Sequence, residues 1–178
     1  GEVLYSIDLT QQPATRSLVS GPTRGAGPAL ERASNFVLEP AVNPTRAILA
    51  DEGPGGLFSV DLASGDRSEF LAPFAEDPLP GSSVISASYL DSSFSRILGV
   101  RAGTTSALLS IPLSGVTPQV VSGDDPVAAA RHGTGPVPYG CMALDVDTTD
   151  RVSYLACPWT SSIMAIDLVS GDRVVIAR

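Results

Sequence analysis

The chain has 178 residues, with 19 acidic side chains against 11 basic ones, every one of the latter an arginine, for a formal charge of −8. A composition that is 43% hydrophobic and only 17% charged is that of a globular domain with a sizeable core, not of a disordered segment. The negative balance repels phosphate backbones and anionic lipid, which sets nucleic acid aside as a partner, and no apolar run reaches the 18 or so residues of a membrane-inserted helix.

Read from its start, the chain repeats itself. A segment at 4–9, LYSIDL, recurs as LFSVDL at 57–62, LLSIPL at 108–113 and IMAIDL at 163–168. Its matching residues, Ile7, Val60, Ile111 and Ile166, lie 53, 51 and 55 positions apart. A short apolar run follows each copy, at 17–19, 69–71, 119–121 and 174–176. Two more runs precede the last three copies: one ends in Leu38-Glu39, Leu90-Asp91 and Leu144-Asp145, and the next opens at Arg46, Arg96 and Arg151. Each unit therefore holds four β-rich runs, A to D, separated by Gly, Pro, Ser, Asp and Asn clusters, the pattern of strands and turns. No segment carries a sustained 3.6-residue stripe, and only 124–131 is a candidate for one short turn or helix.

Four short antiparallel strands at a fixed spacing predict an all-β fold, a β-propeller with three complete four-stranded blades and a leading C–D strand pair. The units run over 1–21 (half blade), 34–72, 84–122 and 141–177 of a single partial propeller. Asp61 and Asp167 stand just before the C–D turn, where a short carboxylate accepts backbone N–H groups, and Gly65 and Gly171 supply a positive φ. Pro112 replaces the aspartate in the third copy, so this position reads as a turn residue. Arg46, Arg96 and Arg151 read as blade-packing or turn-pairing residues.

The repeat resembles the six-bladed propellers of the NHL and regucalcin/gluconolactonase type, closest to bacterial Leu-Asp…Asn-Arg-Ala-Leu-Val…Val-Asp-Leu-x-Thr-Gly-x-Arg repeats found in exported proteins. The resemblance spans almost the whole chain through scaffold motifs. A six-bladed ring at about 52 residues per blade takes roughly 310 residues. The expectation is thus either part of a longer polypeptide or a ring completed by another copy or subunit, the open strand edge at 2–19 serving as template. The lactonase enzymes of this type hold a divalent metal with acidic and Asn side chains. Glu52-Gly53-Pro54 has the letters of a family motif but falls between B and C, not before an A strand.

Candidate sites follow from the loops. D-to-A connections and B-to-C loops share the face on which propellers bind ligands, which nominates Asp51, Glu52, Arg101, His132 and Trp159; an exposed Trp there can stack on a sugar or a peptide. Asp145, Asp147 and Asp150 alternate as in a calcium loop, so Ca²⁺ is the one cofactor to consider, although an A–B turn capped by Asp and Thr explains the same residues. No catalytic set emerges, because the single His132 has no nucleophile to activate. Cys141 opens an A strand and Cys157 closes the following B strand; a hairpin turning at Thr149 sets them opposite each other, as a disulfide or as two buried thiols. A bridge implies a periplasmic or extracellular location. The function expected is a non-enzymatic exported binding or scaffold module for a protein, peptide or glycan. The alternatives are a structural subunit of a filament or surface assembly completed by neighbouring chains, and a metal-dependent lactonase of the regucalcin type.

Overall fold

A computed structural model describes residues 2–39, 44–53, 55–72, 84–103, 106–114, 117–125 and 130–178. Its strands form four antiparallel sheets in chain order. Sheet I pairs β1 (Leu4–Asp8) with β2 (Thr15–Ser20). Sheet II holds β3 (Ala33–Leu38), β4 (Arg46–Asp51), β5 (Gly56–Asp61) and β6 (Arg67–Leu71). Sheet III holds β7 (Val84–Asp91), β8 (Arg96–Ala102), β9 (Ala107–Pro112) and β10 (Gln119–Asp125), with a short fifth strand, β11 (Ala130–His132), on its outer edge. Sheet IV holds β12 (Ala143–Asp147), β13 (Val152–Cys157), β14 (Ser162–Asp167) and β15 (Arg173–Ala177). This is the expected set of three four-stranded blades and a leading C–D pair.

Of the segment 124–131, the candidate for a short turn or helix, residues 126–129 lie outside the described residues. Asp124 pairs with Arg131 and Gly123 with His132 in a strand ladder, so the described ends of this segment extend sheet III and do not form a helix. The helical elements among the described residues are two 3₁₀ turns, Ser92–Phe94 and Pro158–Thr160.

Strand alternation builds the core, because successive residues point to opposite faces of a sheet. Each four-stranded sheet therefore has a front, toward the next sheet, and a rear, toward the one before. Ile48, Ala50 and Leu57 on the front of sheet II meet Ile97, Leu109 and Ile111 on the rear of sheet III. Leu98, Val100 and Leu108 on the front of sheet III meet Leu155, Met164 and Ile166 on the rear of sheet IV. Ala47, Leu49, Phe58 and Val60 on the rear of sheet II pack with Leu4 of sheet I. Val60, Ile111 and Ile166 are fully buried, each contributing about 1.5–3 kcal/mol relative to exposure. Every D strand carries a register shift against its C strand, and the apolar residue there, Val19, Phe70, Val121 or Ile176, stands at the same repeat position.

Two equivalent clasps tie sheet I to sheet II and sheet III to sheet IV. Arg67, the first residue of β6, donates to Ser20 Oγ at 2.6 Å, to Pro28 O at 2.6 Å and to the carbonyls of Gly21, Arg24 and Gly25. Arg173, the first residue of β15, donates to Ser122 Oγ at 2.6 Å, Pro136 O at 2.7 Å, His132 O at 2.7 Å, and the carbonyls of Gly133, Gly135 and Gly171. The Gly-x-Gly-Pro loops at 25–28 and 133–136 wrap these arginines so closely that a Cβ on Gly25 or Gly133 would lie 1.9 Å from the carbonyl oxygen of Gly65 or Gly171. The early part of the D-to-A connection thus lies on the next sheet's C–D turn instead of on the ligand face. Between sheets II and III Pro118 takes the arginine's register position, and among the described residues Asn35 Nδ2 donates to Ile85 O at 3.0 Å and Ser88 bonds Asn35 Oδ1.

In sheet IV the repeat is offset from the expected alignment. Val152 faces Asp167 where Arg46 faces Asp61 and Arg96 faces Pro112, so Asp147, not Asp145, is the counterpart of Glu39 and Asp91. Arg151 sits one residue earlier, at φ 55° in a tight turn, matching Ser95 at φ 48°. It stacks over Phe94 of sheet III, which Arg96 also covers, at 5.2 and 4.9 Å from the ring centre. The pairing role expected of the other two arginines holds: Arg46 bonds Glu39 at 2.6 Å and Arg96 bonds Asp91 at 2.9 Å.

Candidate functional site

The residues just before the A strands of sheets II and IV, the first turn of β7 in sheet III and the ends of the B strands with their B-to-C loops converge on one groove of about 690 Å³. Sheet II contributes Arg32 and Glu52, sheet III Val84, Ser86, Ala102 and Gly103, and sheet IV the run 139–142 and Trp159. Ser86 Oγ donates to Cys141 O at 2.6 Å, tying sheets III and IV in the groove.

Trp159 is 65% exposed, yet several constraints converge on its loop. Pro158 opens the 3₁₀ turn that carries it, and Thr160 Oγ1 donates back to Cys157 O at 3.2 Å. The neighbouring Cys157 is bonded to Cys141, so the loop is stitched to the start of β12. Gly140, at φ 64°, makes room for the indole: a Cβ there would lie 2.5 Å from Trp159 Cβ and Cγ. Tyr139 meets the indole edge-on, the ring centres 5.4 Å apart and the planes at 70°.

The disulfide joins Cys141 and Cys157 as expected, although the ladder is displaced by one residue from a hairpin centred on Thr149. Ala143 faces Ala156, so the position opposite Cys157 belongs to Met142. Cys141 lies just outside the ladder, after the turn at Gly140, and its side chain reaches Cys157 from there.

The other nominated residues separate into groove and scaffold. Glu52 lines the groove and pairs with Arg32 at 3.0 Å. Asp51 is buried beneath it, its carboxylate accepting the N–H groups of Glu31, Arg32 and Gly53 at 2.7, 2.9 and 2.9 Å, so it shapes the loop that presents Arg32. Arg101 is 2% exposed and reaches Asp124 O, away from solvent. His132 lies on β11, where its carbonyl serves the Arg173 clasp. Asp147 Oδ1 accepts the N–H groups of Thr149 and Asp150, and Asp145 Oδ1 that of Val146, the hydrogen bonds of a capped turn. Among the described residues no three His, Cys, Asp or Glu side chains gather as a metal site requires. Pro54 of the Glu-Gly-Pro triplet lies outside the described residues.

The carboxylates of the C–D turns behave as the turn reading demands. Asp61 accepts the N–H groups of Ala63 and Ser64, Asp167 those of Val169 and Ser170, and these bonds hold both below the usual carboxylate range. Tyr139, Met142 and Arg32 escaped the sequence reading. The Gly140 beside Tyr139, just ahead of an A strand, is the one signal that pointed there.

No family model matches the chain, and no curated protein matches it in sequence. Solved structures do. A structural genomics protein of unknown function from Bacteroides thetaiotaomicron aligns at a TM-score of 0.59, with 10% identity over 98% of this chain and 38% of its own. A nidogen/laminin complex aligns at 0.61, with 15% identity over 92% of this chain and 52% of the matched one. A putative 6-phosphogluconolactonase from Bacteroides fragilis aligns at 0.48, with 16% identity over 83% and 39%. The chain spans about two fifths to one half of the structures it matches. At such identities the likeness concerns architecture, and with the four stacked sheets it establishes a partial β-propeller.

Proposed function

We propose that this chain is a non-enzymatic, exported binding module that holds an extended peptide segment of a protein partner in the groove shared by sheets II, III and IV. The observation that carries the reading is Trp159: an aromatic ring left largely in solvent, yet fixed by Pro158, Gly140, Tyr139 and the Cys141–Cys157 bridge. A rigid exposed aromatic loses little entropy on binding, which is why such residues anchor interfaces. The remaining lining is mostly apolar, through Val84, Ala102 and Met142, and its charged pair is already matched, Arg32 to Glu52. That chemistry suits apolar peptide side chains better than a hydroxyl-rich glycan. One solved structure of similar fold is a protein bound to a protein, the nidogen/laminin complex. The disulfide is compatible with an oxidising compartment, and no helix among the described residues is long and apolar enough to cross a membrane.

The test uses a random peptide display library selected on the folded chain and read out by the single tryptophan. Selected peptides are expected to shift Trp159 fluorescence and to lose at least about tenfold in affinity on Trp159→Ala, a hot-spot effect. Peptides that bind equally well to the variant, or a fluorescence shift produced only by oligosaccharides, overturn the peptide reading.

A further inference from the structure

The chain has two methionines, and the fold treats them oppositely. Met164 is 2% exposed, inside the core between sheets III and IV. Met142 is 56% exposed and lines the groove beside Val84 and Ser86 of sheet III and Trp159 of its own sheet. The groove lies between successive sheets of the array, not on the outer face of sheet I or sheet IV. The repeat does not ask for a thioether at this position. Five residues before Glu39 and Asp91 stand Ser34 and Ser86, and five before their counterpart Asp147 stands Met142. Ser86 spends its hydroxyl on Cys141 O, whereas a thioether has no proton to donate and offers a flexible, polarisable apolar surface. Both cysteines of the chain are bonded to each other, so no thiol competes with Met142 for an oxidant.

We propose that Met142 is a modification site: oxidation of its thioether to the sulfoxide by hydrogen peroxide lowers the affinity of the groove for its peptide. The proposal rests on the peptide reading of the groove and adds a control on it. In the step, a lone pair on Sδ attacks one peroxide oxygen, and the S–O bond forms as the O–O bond breaks. The sulfur gives up two electrons, and the leaving oxygen takes the proton of the transferred one and departs as water. The product replaces an apolar, adaptable side chain by a polar and chiral one, and methionine sulfoxide reductases reverse it. A peptide side chain seated on Met142 would then cover an oxygen it cannot satisfy, which weakens binding. Selectivity follows from burial, because Met164 lies packed among Leu98, Leu108 and Leu155 where the oxidant does not reach.

The experiment treats the folded chain with hydrogen peroxide, follows Met142, Met164 and Trp159 by peptide mass mapping, and titrates the display-selected peptides before and after. Met142 is expected to gain one oxygen at least about tenfold faster than Met164. The chain oxidised at Met142 is expected to bind the peptides at least about fivefold more weakly. Met142→Leu, compared with its own untreated affinity, is expected to keep that affinity through the same treatment, which separates the thioether from any oxidation of Trp159. The wild-type measurements decide the matter even where that variant loses the wild-type melting profile. Equal oxidation of the two methionines overturns the proposal, as does a Met142 sulfoxide that binds as well as the thioether, or a folded Met142→Leu that loses affinity as the wild type does. A failure of the peptide reading shows itself before any oxidant is added, as a library that yields no Trp159-dependent peptide, and this proposal falls with it.

Discussion

Ile7 in β1 and Ile166 in β14 hold the same position of the same repeat, each inside an Ile-Asp-Leu triplet, yet Ile7 is 63% exposed and Ile166 wholly buried. Neither the strand's own sequence nor its alternation accounts for the difference. β14 lies between β13 and β15 with sheet III against its rear, whereas among the described residues β1 has β2 alone and no sheet behind it. In a stacked array, sequence encodes the capacity to be buried and the neighbouring sheet realises it.

Substitution breaks the comparison most directly. Ile166→Ala is expected to cost about 2–5 kcal/mol, the range for truncating a fully buried aliphatic side chain. Ile7→Ala, at low micromolar concentration, is expected to stay within about 0.5 kcal/mol, as surface substitutions do. Urea unfolding of both variants gives the two values. An Ile7→Ala cost comparable to that of Ile166→Ala would show the rear of sheet I to be covered in solution.

The arginines that open the D strands sharpen it. Arg16, Arg67 and Arg173 face Ile7, Val60 and Ile166 respectively. Arg173 is buried among carbonyls of β11 and the loop that follows it, Arg67 is half-buried among carbonyls of the loop that follows sheet I, and Arg16 merely lies over the ring of its own neighbour Tyr5, 4.9 Å from the centre. Arg173→Ala is expected to destabilise by about 1–3 kcal/mol through the carbonyls it leaves without a donor. Arg67→Ala should fall below that, since its site is partly solvated, and Arg16→Ala should cost no more than the roughly 0.5–1 kcal/mol of an exposed cation–π contact. Thermal unfolding of the three variants, checked against their Lys counterparts, tests the order. A Lys restores the charge without the planar fork and is expected to rescue Arg173 only in part.

The fold was legible because its evidence is periodic. Four copies of one apolar run, with Asp and Gly at fixed offsets, leave few architectures besides stacked four-stranded sheets, and the turn roles of Asp61, Asp167, Gly65 and Gly171 followed from local chemistry alone. The site was less legible because a groove is assembled from positions that no repeat marks. Trp159 and Glu52 could be placed on a face by loop order, but Asp51 and Arg101, placed by the same rule, turned inward to serve backbone N–H and carbonyl groups. His132 became part of a clasp whose two halves, Gly-x-Gly-Pro and Ser-Gly-Asp-Arg, were each visible in the sequence while their contact was not; only the packing of successive sheets brings them together. The slip in sheet IV has an equally local cause. The turn at 148–151 places Arg151 at a positive φ, so its letter aligned with Arg46 and Arg96 while its position did not.

The smallest expected effect separates clasped from unclasped turns by pH. Asp66 and Asp172 accept N–H bonds from the adjoining loops, Ala26 at 2.7 Å and Thr134 at 2.6 Å, and these bonds hold both carboxylates below their ordinary value of 3.8. Asp8 is held down as well, but only by Thr10 of its own turn. A folded-state value below the unfolded one stabilises at pH above 3.8, and the contribution fades as pH falls through the lowered folded values. Acidification from pH 5 toward 3 should therefore loosen contacts between sheets at Asp66 and Asp172, and only within a turn at Asp8. All three carboxylates are solvated, so the effect is expected as faster local opening rather than a large change in global stability. Amide hydrogen exchange, corrected for its intrinsic pH dependence, should show protection at Ala26 and Thr134 falling in that window, and Asp66→Asn and Asp172→Asn should each flatten the response at the partnered amide. Equal pH sensitivity at Ala26 in wild type and Asp66→Asn would mean that the carboxylate does not hold the clasp, and that Arg67 and the glycine-lined contact hold sheets I and II without it.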